Sequence, residues 1–301
     1  MRKTYKAVFL GLLILSALSF TGCAGSKKAI WGNPEQGVLV SLHPEQGKSF
    51  KYEITSDVTS TMERNGRSFD SIQEFYTSYT LTAEKPDSFV NFIFIADTGY
   101  ISFQYGKNKR DIDMSAIFGK RIKISFTPKG KFLSKKTTPI DSIPKPEKGR
   151  RRFGLKPINF IRTGFFELPE KRFKKGESWT ETKTDTIVNN DTTRNYHSEN
   201  IINYENTYTV LGFEKRAGKM CVHIKIESDF TKDMTTTGKN MNSSSEEEGE
   251  STTEVWFAYN MGMPVEIQIN SFAEGTRAFS GQFSSTMPFS SETKQTVKLV
   301  N

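Results

Sequence analysis

Apolar and polar residues alternate along many stretches of this chain, and this period of two constrains the fold more than any other feature. The alternation is clear at 50–58, 222–227 and 265–270. Successive side chains of a β-strand point to opposite faces, so the pattern predicts strands with one buried side. The best candidate for a helix is short, at about 157–166. We therefore expect an all-β, antiparallel protein with at most one short helix.

The chain also resembles itself at an offset of 129 to 132 residues. The tetrapeptide GKSF at 47–50 matches GESW at 176–179, and YTL at 79–81 matches YTV at 208–210. The strand-like segments at 89–97 and 124–130 have counterparts at 220–229 and 255–262. A small sheet with one apolar face is stabilised when a second such sheet covers it. This predicts two related antiparallel β-units that form a sandwich or a half-barrel.

These patterns, together with an apolar run at 7–20 that follows a basic N-terminus, divide the chain into five parts. We assign residues 1–22 to a signal peptide, 23–36 to a tether and 37–135 to the first β-unit. Residues 136–170 form a connector rich in proline and charge, and 171–301 form the second β-unit. The acidic run 246–248, which lies among serine and glycine, is interpreted as a solvated hairpin tip, and 106–115 as a loop between strands.

The positive charge of the chain is concentrated around this connector. Residues 145–175 contain eleven Lys and Arg and three acidic residues, while the whole chain has a net charge of +8. A basic patch can bind nucleic acid, but the basic and apolar N-terminal segments MRKTYK and 7–20 have the pattern of a signal for export from the cytoplasm, so no nucleic-acid partner is predicted. Anionic lipid or lipopolysaccharide is the expected partner, although a merely solvated linker is an alternative. The candidate contacts are Arg150, Arg151, Arg152, Lys171, Arg172, Lys174 and Lys175.

The N-terminus predicts where the protein is located. A basic segment, MRKTYK, precedes an apolar stretch from Ala7 to Phe20, which is too short to span a bilayer and has the length of a signal-peptide core. The sequence Phe20-Thr21-Gly22-Cys23 resembles the lipobox of bacterial lipoprotein precursors. This resemblance implies cleavage before Cys23 and acylation of that cysteine, which would anchor the protein to a membrane. Ala24 favours the outer membrane, facing the periplasm, over retention at the inner membrane.

The sequence contains little that indicates catalysis. Its three histidines are not at metal-ligand spacing, and no zinc, nucleotide or hydrolase motif is present. We therefore predict no catalytic residue, no metal and no cofactor. Cys221, the second cysteine, is interpreted as a buried apolar residue. Scattered carboxylates leave an exported hydrolase as a minor alternative.

The 24 Phe, 10 Tyr and 3 Trp are the remaining functional clue. They fill the core between sheets or line a cavity for an apolar ligand. Export, β-content and aromatic load broadly resemble the half-barrel carriers of lipids and lipoproteins in bacterial envelopes. The candidate ligand-binding residues are Tyr79, Phe92, Phe94, Tyr208 and Trp256. The leading hypothesis is thus a non-enzymatic lipoprotein that binds an amphiphile or an envelope partner, and the alternative is a structural or interaction lipoprotein with a filled core.

Overall fold

The computed structural model describes residues 31–85, 87–133, 136–142, 167–169, 171–191, 196–238, 241–281 and 284–300. The signal peptide, Cys23, the predicted helix at about 157–166 and Arg150, Arg151 and Arg152 lie outside these residues. Within them, one 3₁₀-helix at Ser115–Ile117 is the only helical element, and the all-β prediction is confirmed.

Fifteen strands account for most of these residues. They are β1 (Gly32–Asn33), β2 (Gly37–Leu39), β3 (Ser49–Arg64), β4 (Arg67–Ala83), β5 (Val90–Tyr105), β6 (Asn108–Ile112), β7 (Arg121–Phe126), β8 (Thr138–Pro139), β9 (Arg172–Phe173), β10 (Ser178–Asp191), β11 (Tyr196–Arg216), β12 (Lys219–Thr237), β13 (Met241–Ala258), β14 (Met263–Gly281) and β15 (Ser285–Leu299).

Twelve of these strands form one antiparallel sheet. Its order is β10-β11-β12-β13-β14-β15-β3-β4-β5-β7-β8, and β6 pairs with the far part of β5. The two stretches predicted as units are joined within this sheet, because the last strand, β15, pairs with β3 from Leu299↔Tyr52 to Phe289↔Met62. The sheet remains open, with β10 at one end of the order and β8 at the other.

The long strands are buried mainly at one end, and the largest buried side chains there lie on one sheet face, which we call the inner face. In β12, Cys221, Val222, Ile224 and Ile226 are buried, whereas the residues from Glu227 to Thr237 alternate between exposed and half-buried. β14 behaves in the same way, with Met263–Ile267 buried and mostly exposed or half-buried residues beyond. We call the buried end the core half of the sheet and the remainder the open half.

Short segments cover the inner face of the core half. β1, β2 and β9 form a small separate sheet, and Val38, Leu42, Leu168 and Phe173 from these segments are buried in the same cluster as the large sheet. The Tyr52 hydroxyl in β3 donates a buried hydrogen bond to the Pro264 carbonyl at the start of β14, 2.8 Å away. The core is therefore packed between the large sheet and the covering segments.

His43 packs against Trp31, and the space that its ring occupies depends on a glycine at position 262. Its ring stacks on Trp31 with centroids 3.2 Å apart, and its Nδ1 lies 2.7 Å from the Ser41 carbonyl oxygen. Gly262 has a φ of +70°, and a Cβ on it would lie 2.6 Å from the ring carbon Cγ of His43. A larger residue at 262 would thus be strained twice, by its backbone and by this contact.

The structure corrects two loop assignments, and it places two short strands within the predicted tether and connector. Glu246, Glu247 and Glu248 do not form a hairpin tip, because they lie inside β13 and pair with both β12 and β14. The predicted loop 106–115 contains β6, and the tether and connector contribute β1 and β8. Local composition misled in this acidic run, because Glu246 and Glu248 point to one face of the strand, whereas Glu247 points to the other face and pairs with Lys232.

Candidate functional site

Four of the five predicted ligand-binding residues lie on the inner face, inside the core. Tyr79, Phe92 and Phe94 are at most 2 % exposed, and the rings of Tyr79 and Phe94 are 5.3 Å apart. Tyr208 is buried against Trp179, with parallel rings 4.8 Å apart. Burial raises the pKa of Tyr208 to about 12, so its hydroxyl stays neutral at ordinary pH.

Trp256, the fifth residue, lies on the opposite face of the sheet. Its β13 neighbours Val255 and Phe257 point into the core, so Trp256 points away from it. Its ring stacks on His223, with centroids 4.2 Å apart, and its indole N–H donates to Glu214. The five predicted residues therefore do not share one surface.

A polar network covers Trp256 on this outer face. His223 lies 3.2 Å from Glu214 and 3.0 Å from Glu254, and the Arg216 guanidinium is 4.4 Å from the indole centroid. Arg216 also donates to the buried Glu266 at 2.6 Å. Burial alone would raise the pKa of Glu266, but hydrogen bonds from Arg216 and Gln268 outweigh it and leave the pKa below its usual value. Hydrogen bonds and ring contacts join these side chains to one another, which makes the cluster a structural network.

The core half leaves little room for a ligand. The cavity between the covering segments and the sheet is lined by apolar residues, among them Leu42, Leu168, Phe257 and Ile267, and it has a volume of about 20 Å³. Typical ligand pockets have about 300–1,000 Å³. The predicted aromatic residues therefore act as core packing at this end of the molecule.

The larger depressions lie in the open half. One of about 730 Å³ spans β10 to β14, and its outward-facing lining includes Glu205, Asp229, Glu248, Glu250 and Glu274. Two neighbouring depressions of about 580 and 570 Å³ share several of these carboxylates. Phe272, which is 44 % exposed, lies among them.

These carboxylates face one another across the strands. Glu205 is opposite Asp229, Asp229 is opposite Glu250, and Glu248 is opposite Glu274. Like charges at such positions repel and destabilise a sheet.

Across the residues that the structure describes, no group of three or more His, Cys, Asp or Glu side chains has the geometry to hold a metal ion. The sequence interpretation missed this acidic face, although Glu246, Glu248 and Glu250 already have the spacing of one strand face.

The basic residues at the start of the second stretch are partly used by the protein itself. Lys171 forms a 2.9 Å ion pair with Glu177 and lies 3.9 Å from the centroid of Trp179. The pKa of Glu177 lies below its usual value, mainly because its carboxylate accepts a hydrogen bond from Lys171 and, to a smaller extent, because it accepts one from the Lys174 backbone amide. Arg172 donates to the Gly37 carbonyl at 3.1 Å. Of these four basic residues, Lys174 and Lys175 are exposed and lie outside the strands.

Cys221 is fully buried, as predicted. Burial raises the pKa of its thiol to about 12, so the reactive thiolate is scarce at neutral pH. No helix among the described residues is long and apolar enough to cross a membrane.

Comparison with known proteins places the chain in no family. No family model matches it. No curated protein matches it significantly either. Among solved structures, Pseudomonas aeruginosa OccK5 (OpdH) aligns with a TM-score of 0.27 and 7 % identity, covering 86 % of this chain and 100 % of that one. Pseudomonas aeruginosa OpdQ aligns with a TM-score of 0.27 and 5 % identity, covering 84 % and 100 %. At these TM-scores and identities, neither structure supports an argument about this chain.

Proposed function

We propose that this protein is a non-enzymatic lipoprotein of the bacterial cell envelope that acts by binding, through the exposed surfaces of its sheet. Residues 1–22 are removed, Cys23 carries the acyl chains, and the body faces the periplasm from the outer membrane. The partner is an envelope protein, engaged by the open half of the sheet. The filled core is the scaffold that holds this surface in place.

The observation that carries this proposal is the difference between the cavity volumes of the core half and the open half of the sheet. A cavity of about 20 Å³ in the core half does not hold an acyl chain. The open half has no covering layer among the described residues and offers depressions of 570 to 730 Å³. Its strands are long and regular, which suits them to present a fixed surface.

A native mass spectrum of the full-length processed protein tests this reading. We expect the mass of the polypeptide with its anchor, or twice that mass, and no further lipid. If the purified protein retains one lipid molecule per chain in addition to the covalent anchor, the proposal that it binds only through its exposed surface is contradicted.

A second candidate function is binding of an amphiphile along the inner face of the open half. Half-buried Tyr204, Phe230, Met234, Met287 and Phe289 lie there, and long apolar side chains on an uncovered face favour contact with acyl chains. If a lipid is found in the mass spectrum, Phe230→Ser should remove it under this candidate. Phe272→Ser, on the outer face, is the matched control and should leave it bound.

The anchor is tested separately from the binding surface. Labelled palmitate should enter the wild type and not Cys23→Ser, and the variant should leave the membrane fraction. Two or more acyl chains hold a protein stably on a membrane, whereas one chain is marginal. Unprocessed, unlabelled wild-type protein in the cytosol would contradict the assignment.

The basic segment is proposed to contact anionic lipid beside the anchor, through Lys174, Lys175 and the arginines at 150–152. The structure leaves Lys174 and Lys175 exposed, which supports this role. Binding of the full-length chain to vesicles that contain anionic lipid should fall in Lys174→Glu/Lys175→Glu. Unchanged binding in that variant would contradict the contact.

The relation between the two stretches also stays a proposal, and matching pairings support it. Gly47 and Gly176 have φ of +78° and +79°, and the amide of each donates at 2.8 Å to a carbonyl in its hairpin partner strand, Ala83 and Val210 respectively, although these two acceptors lie two positions apart in the repeat. In the first stretch Val90 faces Phe126 and Phe92 faces Ile124, and in the second Val222 faces Phe257 and Ile224 faces Val255. A common origin of the two stretches accounts for these equivalent contacts.

A further inference from the structure

We propose that β10 is a dimer interface, on which the β10 of a second copy of this chain pairs in the antiparallel direction about a twofold axis. The two twelve-stranded sheets would then form one continuous sheet. This interface depends neither on the lipid anchor nor on the binding role proposed above.

The edge at β10 is long and regular. β10 pairs with β11 from Ser178↔Thr209 to Asp191↔Tyr196, over 14 residues and without a bulge. No other strand of the described residues pairs with it. An edge of this kind presents a row of backbone N–H and C=O groups that can extend the sheet.

The opposite edge is built to avoid pairing. It consists of β8, which has two residues and ends at Pro139, and of β6, which has five residues and includes Lys109 and Arg110. Short strands, proline and basic side chains all discourage strand addition. β10 contains no proline, and Lys183 is its only cation.

The side chains of β10 are complementary to themselves. Glu181, Lys183 and Asp185 point to one face, and Lys183 already lies 3.5 Å from Asp185 in its own strand. Antiparallel pairing with Thr184 on the twofold axis places each Lys183 opposite the Asp185 of the other copy. Pairing with Thr182 on the axis places it opposite Glu181 instead. Opposite charges at facing positions stabilise paired strands.

The other face of β10 has a matching ladder of Thr180, Thr182, Thr184 and Thr186. With Thr184 on the axis, Thr182 faces Thr186, and with Thr182 on the axis, Thr180 faces Thr184, and such threonine pairs are favourable across strands. The intermediate register would place Lys183 against Lys183 and Glu181 against Asp185, and it is excluded by repulsion. Of the three registers centred on residues 182 to 184, the charges therefore favour two, which differ in the residue on the axis.

A second copy is the partner that best fits this edge. The pairing uses the open edges of both copies and leaves only the two protected edges exposed. The assembly thus closes as a dimer and does not grow into a filament.

Cysteine cross-linking in membranes from cells that make the full-length chain tests the interface. After mild oxidation, either Thr184→Cys or Thr182→Cys should run as a covalent dimer on a non-reducing gel, because the residue on the axis meets its own copy. A disulfide needs Cα atoms within about 7 Å. Val188→Cys, on the same face of β10, is the matched control and should remain monomeric, since its two copies would be about 27 Å or more apart.

Charge reversal provides a second, independent test of the β10 interface. In the cross-linking background, Lys183→Glu alone and Glu181→Lys/Asp185→Lys alone should each lose most of the dimer, and co-expression of the two should restore it as a heterodimer. Lys109→Glu, on the opposite edge, should leave the dimer unchanged. The proposal is overturned if neither axial cysteine cross-links, if Val188→Cys cross-links equally well, or if the charge variants behave like the wild type.

Discussion

The two halves of the large sheet are built from the same strands but are stabilised in different ways. In the core half, the inner face packs against the covering segments, and Phe92, Val210 and Ile224 are fully buried. In the open half, the same strands continue with no covering layer among the described residues, and their stability rests on the backbone ladder and on cross-strand pairs. The burial of one end thus supports an exposed surface at the other.

The largest expected difference between the halves is the cost of removing an aromatic side chain. Phe92→Ala should lower the free energy of unfolding by about 3–5 kcal/mol, because Phe92 is fully buried and its loss leaves a cavity. Phe230→Ala, in the open half, should cost about 1 kcal/mol, since its ring keeps contact with water. Urea unfolding followed by tryptophan fluorescence measures both. Equal losses would mean that the open half is covered in solution.

The second difference concerns pH and the core half. Burial lowers the pKa of His43 from 6.5 to about 4, and hydrogen bonds to backbone groups offset this only in part. The unfolded chain therefore binds more protons than the folded one between these values, so stability should fall as the pH drops from about 6.5 to about 4. One pKa unit is about 1.4 kcal/mol, and because His43 keeps partial exposure the total loss should be below about 3 kcal/mol.

His43→Gln isolates this contribution from the carboxylates, which titrate in both proteins. The variant should be less stable at pH 7, where it loses the stacking on Trp31, and the difference should shrink as the pH falls. Unfolding curves recorded at several pH values measure it. A difference that does not change with pH would show that His43 is accessible to protons in the folded state.

The smallest expected effects lie on neighbouring residues of β13 in the open half. Glu248 faces Glu274, so Glu248→Gln should stabilise the protein by up to about 0.5 kcal/mol at low salt. Glu247 accepts a 2.8 Å hydrogen bond from Lys232 on the other face, so Glu247→Gln should destabilise it by about 0.5–1 kcal/mol. Thermal unfolding at low and high salt measures both, and salt should reduce both effects. Effects of the same sign would contradict the assignment of these residues to opposite faces.

Local pattern predicted much of this fold. The alternation at 50–58, 222–227 and 265–270 predicted strands that are present as parts of β3, β12 and β14. The pattern is local because each strand residue must point to one face or the other. It also predicted the burial of Cys221 within an apolar strand.

Which strands meet, and which face is covered, depends on residues far apart in the chain. The pairing of β15 with β3 has no local signal, because Val297 and Ile54 are 243 positions apart. Trp256 looked like a partner of Phe92 and Phe94, but its face is set by the register of β13 against β12 and β14. The run at 246–248 reads as a loop by composition, and only its neighbours make it a strand.

The sequence by itself determined the all-β class and the strands at 50–58, 222–227 and 265–270, since alternation and β-forming residues act over a few positions. The tertiary structure alone decided that one end of the sheet is a filled core and the other an uncovered acidic surface. The reason is that burial and charge repulsion depend on distances between strands, and these distances exist only once the sheet has assembled.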